Sequence, residues 1–317
     1  MNTAAPDPER SARPAHGAPT PRSKRFARVG IFSMLASVLA ASALAQSNIN
    51  PTNSFAWGDS VGWINWRPDA ASGAKIGRYI CSGFLYGPQI GWINLGSGHP
   101  ANRVHYQNDS ANDFGVNVDS AGNLRGFAYA ANVGWLNFEG VGAARVDFLT
   151  GRASGAIYSA NAGWISLEGS AFFIQADSID PGEDSDGDGI PDAWELTYAT
   201  SLDVFSATGD YDHDGVTDLE EYLADTDPTD PNDYLRIVSL APTRESDALQ
   251  LTWTTRPTRT YRIEAASALG LTNQWTDIGL GWLTANSGLT TLTLPIPEAP
   301  VPGQRFFRIR AAQPLAP

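Results

Sequence analysis

The sequence predicts a mainly β protein of three modules: a repetitive β-hairpin module, a small loop-and-helix module and a C-terminal β-sandwich. Three observations carry this. Four segments alternate apolar and polar residues, turn within about four residues, then restart at a Gly-Trp pair. Residues 177–233 hold 19 Asp or Glu and neither Lys nor Arg. The last part of the chain, 234–313, alternates again in six or seven short runs. With one Cys in 317 residues, no intramolecular disulfide can staple any of these.

Ahead of the modules, residues 1–45 read as a signal peptide with an extended n-region. The basic stretch PRSKRFAR ends at Arg28, and an apolar run follows to Ala43-Leu44-Ala45, a small-x-small cleavage pattern before Gln46. The run is short for a stable membrane span. A retained N-terminal anchor is the alternative. The expectation is a chain exported to the medium or the cell surface, with no membrane span after cleavage. Beyond the leader the chain carries 15 basic and 32 acidic residues, a net charge of −17. Such a surface repels phosphate backbones, so nucleic acid is excluded as a partner. The lone Cys81 reads as a buried core thiol rather than a nucleophile.

Residues 46–176 contain FAWGDSVGWINW, GFLYGPQIGWINL, GFAYAANVGWLNF and GAIYSANAGWISL. Each is expected to form a β-hairpin. The Gly-Trp tryptophans are Trp63, Trp92, Trp135 and Trp164, spaced 29, 43 and 29 apart, so a pair of unequal units recurs with a period of 72. The longer gap holds a further expected hairpin, GVNVDSAGNLRG, turning at Asp119-Ser120-Ala121-Gly122-Asn123. Each Trp shares a strand face with the residue two positions on (Asn65, Asn94, Asn137, Ser166). Ile64, Ile93, Leu136 and Ile165 point the other way. A Trp/Tyr-rich core, with both faces buried in a stacked or two-layer arrangement, is the expectation. An aromatic platform for sugar rings is the alternative. The pattern resembles Gly-Trp repeats of secreted bacterial multidomain proteins, a resemblance that implies no activity.

Residues 177–233 contain two twelve-residue segments, DSDGDGIPDAWE from Asp184 and DYDHDGVTDLEE from Asp210. Both place carboxylates at positions 1, 3, 5, 9 and 12 and Gly at 6, the spacing of a calcium loop. Side chains at 1, 3 and 5 converge as the chain wraps a point, and Gly189 and Gly215 permit the sharp turn. The candidate ligands are Asp184, Asp186, Asp188, the Ile190 carbonyl, Asp192 and Glu195, then Asp210, Asp212, Asp214, the Val216 carbonyl, Asp218 and Glu221. Two Ca²⁺ ions are expected, since hard oxygens in a flexible loop suit calcium and no Cys/His cluster competes for a softer metal. His213, at position 4, reads as solvated. Trp194, Tyr198, Leu219, Tyr222 and Leu223 fit short helices with one buried face, and Thr217 with Glu220 forms a capping-box pair. Pro181-Gly182 argues against a helix entering the first loop. The segment 225–233 (DTDPTDPND) is read as extra ligands or a stiff spacer.

This arrangement resembles the loop-helix units of dockerins and the Asp-rich repeats of the thrombospondin type 3 kind. The resemblance implies calcium. Dockerins select cohesins near loop positions 10 and 11. Here those are Ala193-Trp194 and Leu219-Glu220 rather than small hydroxyl pairs, which argues against cohesin docking.

Residues 234–317 pair LTWTTRPTRTYRIEAA with a late FFRIRA, and so resemble a fibronectin type III-like module, with Trp253, Tyr261, Phe306 and Phe307 as expected core. No nucleophile-base set emerges. GRASG at Gly151 is not G-x-S-x-G, LGSGH at Leu95 lacks an elbow context, and His99 and His105 have no partner motif. No enzyme is therefore expected. The leading reading is an exported calcium-binding structural or adhesive protein whose partners are calcium and either a surface polysaccharide or another surface protein. A carbohydrate-binding protein using repeat Trp and Tyr comes second. A glycan-active hydrolase using Glu139, Asp147 or Glu168 comes third.

Overall fold

In the computed structural model the described residues are 46–243, 248–268, 275–285, 287–295 and 305–317. The leader reading at 1–45 lies outside them. The first module runs β1 (Ile49–Gly58), β2 (Gly62–Asn65), β3 (Lys75–Ile76), β4 (Cys81–Ser82), β5 (Phe84–Gly87), β6 (Gly91–Asn94), β7 (Val116–Val118), β8 (Leu124–Ala130), β9 (Gly134–Asn137), β10 (Arg145–Val146), β11 (Arg152–Ser154), β12 (Ala156–Ser159), β13 (Gly163–Ser166) and β14 (Ile174–Ala176). The protein is mainly β, as the alternation predicts.

Each Gly-Trp segment is a hairpin, and all four share one register. Trp57 faces Trp63, Tyr86 faces Trp92, Tyr129 faces Trp135 and Tyr158 faces Trp164. The Gly of each Gly-Trp pair has φ between +70° and +76°. In the first two hairpins the turn closes by the Val61 and Ile90 N–H groups donating to the Gly58 and Gly87 carbonyls, and the residue after it must enter the second strand in a left-handed conformation, which explains why Gly precedes every Trp. After each Trp, the Asn or Ser two positions on ends the strand. Asn65, Asn94 and Asn137 accept through Oδ1 from the backbone N–H of Arg67, Gly96 and Glu139, while Ser166 Oγ donates to the Glu168 carbonyl.

The four hairpins pair side by side in the order β1-β13-β12-β9-β8-β6-β5-β2, and β2 returns to β1. All these pairings are antiparallel, so the ring is a closed eight-stranded barrel. Closure removes the sheet edges and leaves one interior. Ala56, Ile64, Leu85, Ile93, Ala128, Leu136, Ile157 and Ile165 fill it as one layer, one residue per strand, each no more than 1% exposed. A second layer, Trp66, Leu95, Phe138 and Leu167, lies three positions after each repeat Trp. Trp63, Trp92, Trp135 and Trp164 point outward and are 47–51% exposed.

The Trp/Tyr-rich core is thus corrected: the core is largely aliphatic and the repeat aromatics form a belt around the barrel. An eight-stranded barrel is only wide enough for moderate side chains. Eight large rings would overfill it, so the alternation resolves with the aromatics outside. The expected stacked arrangement is also corrected, because a closed ring buries one face and needs no second layer.

β7 and β8 form the additional hairpin, with Val116 opposite Gly126 and Val118 opposite Leu124. β14, β11 and β10 extend the sheet from the N-terminal half of β1. Cys81 is buried in this core, which pushes its thiol up to about 12.

The acidic segment forms α1 (Asp192–Tyr198) and α2 (Asp218–Ala224). No helix enters the first loop. Ile190, Trp194, Phe205 and Tyr222 make a small core that also packs against Tyr79 of the barrel module. Trp194 stands 5.1 to 5.8 Å from Tyr198, Phe205 and Tyr222. Tyr198, expected on the buried face, is exposed.

The C-terminal module follows as β15 (Ile237–Pro242), β16 (Ala248–Thr254), β17 (Thr260–Ala266), β18 (Thr276–Asp277), β19 (Leu283–Thr284), β20 (Leu289–Pro295) and β21 (Phe306–Ala312). One sheet is β15-β16-β20. The other is built on β17, which pairs β18, β19 and β21. Trp253, Tyr261, Leu251, Ile263 and Leu294 are buried between them, and Phe307 is half-buried against that cluster. Phe306 is half-buried outside it, because it alternates to the opposite side of β21.

The chain's last residues return to the barrel. Leu315 packs against the barrel core, and its carbonyl accepts from the Ile179 N–H at 2.8 Å. Among the described residues no helix is long and apolar enough to cross a membrane.

Candidate metal centre

Each acidic loop closes by the same backbone bond. The Asp192 N–H donates to the Glu183 carbonyl at 2.8 Å, and the Asp218 N–H to the Gly209 carbonyl at 2.9 Å. Gly189 and Gly215, at position 6, both have φ +95°. That left-handed turn folds positions 1, 3 and 5 onto one point. Ligand atoms of Asp184, Asp186 and Asp188 gather within 4.8 Å of one another, and so do those of Asp210, Asp212 and Asp214.

Part of each cluster is already engaged by the loop backbone. Asp184 accepts from the N–H groups of Gly187 and Gly189, and Asp188 Oδ1 from Ile190. Asp210 accepts from Asp214 and Gly215, and Asp214 Oδ1 from Val216. Ile190, whose carbonyl is a candidate ligand, is fully buried, whereas Val216 is half-buried.

Position 12 closes both loops from a helix. Glu195 is fully buried, and neither of its carboxylate oxygens has a hydrogen-bond partner. Glu221 is equally buried. Its Oε2 has no partner, while its Oε1 accepts from Thr226 Oγ1 at 3.3 Å. Asp188, Asp212 and Asp214 each keep one further buried oxygen without a partner. Burial first, then the neighbouring Asp carboxylates, push both glutamates up to about 8. Unsatisfied carboxylate oxygens in such a place are costly unless a cation takes them. Like charges 4 Å apart repel by about 4 kcal/mol at a dielectric of about 20. The donor set is all hard oxygen, which fits Ca²⁺.

Position 9 does other work in this geometry. Asp192 accepts from the Ser185 N–H and Oγ and pairs with Arg103 of the barrel module. Asp218 accepts from the Ser206 and Tyr211 N–H groups. Both carboxylates brace their loops from behind. His213 is exposed. Thr217 and Glu220 form the full capping box on α2, while Pro191 caps α1 with no side-chain bond.

No protein-family model, curated protein or solved structure matches this chain.

Residues that sequence reasoning missed link the loops to both β modules. Asp225 ends α2 in a left-handed conformation. Its carboxylate accepts from Arg259 of the C-terminal module at 3.2 Å and from Thr258, and lies 3.6 Å from Arg78 of the barrel module. Arg259 is almost wholly buried and also donates to the Leu223 and Tyr222 carbonyls at 2.9 and 3.0 Å. Burial pushes Asp225 up, but Arg259 and Arg78, with Thr258, outweigh it and hold the carboxyl below its ordinary value. In the 225–233 segment, Asp233 pairs with Arg256, and Asp227 and Asp230 accept from nearby turn N–H groups.

Each carboxylate considered for hydrolysis is engaged by a neighbouring donor. Glu139 accepts from the Gly126 N–H and lies 3.9 Å from Arg125, Glu168 bonds Arg152, and Asp147 accepts from Leu149 and Thr150. His99 and His105 are both exposed.

Proposed function

We propose that this chain is an exported calcium-binding structural or adhesive protein, in which two Ca²⁺ ions order the joint between a β-barrel and a C-terminal β-sandwich. The observation that carries this is Glu195: a fully buried carboxylate with two partnerless oxygens, at position 12 of a loop whose positions 1, 3 and 5 converge. Glu221 repeats the arrangement in the second loop. Bound calcium would take oxygens from both clusters and fix α1 and α2. Fixing α2 presents Asp225 to Arg78 on one side and Arg259 on the other. Export rests on the basic and apolar leader ending at Ala45. An extracellular calcium supply matches the loose affinities, roughly 0.1–1 mM, at which such modules work.

Elemental analysis and calorimetry on the purified chain test the reading. Two calcium ions per chain are expected, falling to one in Glu195→Gln or Glu221→Gln. A chain that keeps no calcium through gel filtration in millimolar CaCl2, and gives no heat on titration, would overturn it.

A further inference from the structure

Two of the four repeat tryptophans stand in built clefts. Trp63 has Phe55 of its own hairpin at 6.1 Å and Phe172, from the loop before β14, at 5.2 Å and 89°. Trp135 has Phe127 of its own hairpin at 6.1 Å and Phe114, from the segment before β7, at 5.1 Å and 84°. The two trios match in geometry, although Phe172 and Phe114 come from unrelated places in the repeat. Among the described residues no loop ring joins Trp92 or Trp164, whose ring contacts are Phe84 with Tyr86, and Tyr158.

The added rings are held in place. The Phe172 carbonyl accepts from the Gly169 N–H at 2.8 Å, and Phe173 lies under the Arg152 guanidinium at 4.3 Å. The Phe114 segment is tied by the Asn108 N–H to the Asp113 carbonyl and by the Gly115 N–H to Asn108 Oδ1. The resulting clefts are about 330 Å³ at Trp63 and about 410 Å³ at Trp135. Both sizes lie in the range of small-molecule sites.

Their chemistry narrows the occupant. Each cleft sets aromatic rings beside short polar side chains, Thr52 and Asn53 in one and Asn108, Asp109 and Ser110 in the other. No basic residue lines either cleft, Arg152 on Phe173 is paired with Glu168, and the chain is strongly acidic, so an anionic ligand is disfavoured on charge. In each the polar side chains come from one short run of consecutive residues and the rest of the lining is aromatic or Ala, which suits a flat ligand having an apolar face and a hydroxylated edge. A neutral pyranose ring has that form. Hairpins one and three are also separated by another hairpin in either direction round the barrel.

We propose that the Trp63 and Trp135 clefts are two neutral-glycan sites on opposite sides of the barrel, which let one chain engage two segments of polysaccharide. The site pair is independent of the calcium loops and stands whether or not they bind metal. Two-point attachment raises apparent affinity by about 10²–10⁴ over one cleft alone, provided both can be engaged together.

Affinity electrophoresis of the calcium-equilibrated full chain through gels containing neutral glucans, mannans, xylans or galactans tests this. At least one polysaccharide should retard the chain. Trp63→Ala and Trp135→Ala should each weaken retardation at least ~10-fold and together abolish it, while the Trp92→Ala/Trp164→Ala pair stays within about two-fold. Phe172→Ala and Phe114→Ala, which leave the barrel strands intact, should reproduce the losses if a Trp variant fails to fold. No retardation by any of these polysaccharides, or equal weakening by the Trp92/Trp164 pair, overturns the proposal. Ion content measured on the same samples separates this failure from failure of the calcium reading.

Discussion

The first and second acidic loops carry the same spacing of carboxylates, but they are not equivalent sites. In the first, Asp184 and Asp186 are exposed and both oxygens of Glu195 lack partners. In the second, all three converging Asp are half-buried and Thr226 already satisfies one oxygen of Glu221. The helix after the first loop starts at Pro191 with no side-chain cap, whereas Thr217 and Glu220 cap the other reciprocally. Position 4 is Gly187 in one and His213 in the other, both at positive φ. Outward connections differ too. The first loop is braced by Arg103 of the barrel module, while α2 of the second ends at the Asp225 cluster that joins both β modules. A shared local motif therefore acquires different energetics from its neighbours.

The largest effect tests what the loops have in common. Chelation, or Glu195→Gln with Glu221→Gln, removes two sites each worth about 2.7 kcal/mol when calcium is 100-fold over Kd. The Tm should fall by roughly 10–15 °C, read by calorimetry with and without EDTA. An unchanged melting curve would break the comparison at its root.

Arg259→Met should come next. It strips a buried partner from Asp225 and leaves two helix carbonyls without their donor, at a cost of about 3 kcal/mol. Because the cluster lies at the end of α2, calcium affinity of the second loop should drop while that of the first holds. Equal loss at both would show that the loops act as one unit.

The same cluster predicts a pH dependence. Asp225 is held below its ordinary value in the folded chain. Its stabilising contribution is therefore complete above the unfolded carboxyl pKa of about 3.9 and is lost as pH falls below that through the folded value. Acid unfolding of wild type and Asp225→Asn, compared between pH 6 and 2, should converge at the acid end. Parallel curves would count against the assignment.

Thr217→Ala removes the cap on α2, for about 1 kcal/mol. Second-loop affinity should weaken about five-fold, with the first loop unaffected. His213→Gly relieves a side chain from a left-handed conformation and should tighten the second loop by up to ~1 kcal/mol. Second-loop affinities are read by calorimetry in the single-site Glu195→Gln background, and first-loop affinity in the Glu221→Gln background.

Much of the candidate metal centre was legible in the sequence because it is local. Twelve residues with carboxylates at positions 1, 3, 5, 9 and 12 and a Gly at position 6 contain the geometry of the loop. The second bracing system was not legible, since Arg103 lies far from Asp192 in sequence, and Arg78 and Arg259 reach Asp225 from opposite modules. Phe205 also went unseen as core, because a lone Phe in an irregular segment has no periodicity to mark it.

Local pattern alone marked the four hairpins and the residue sets on their two faces, since a period of two is a property of the strand. It also determined the acidic loops and the capping of α2. Which face of the hairpins lies inside was set by contacts distant in the chain. Alternation divides residues into two sets without ranking them, and closure of eight strands into a narrow ring selects the smaller aliphatic set for the interior. That selection turns Trp63 and Trp135 outward, where Phe172 and Phe114 can meet them through contacts distant in the chain.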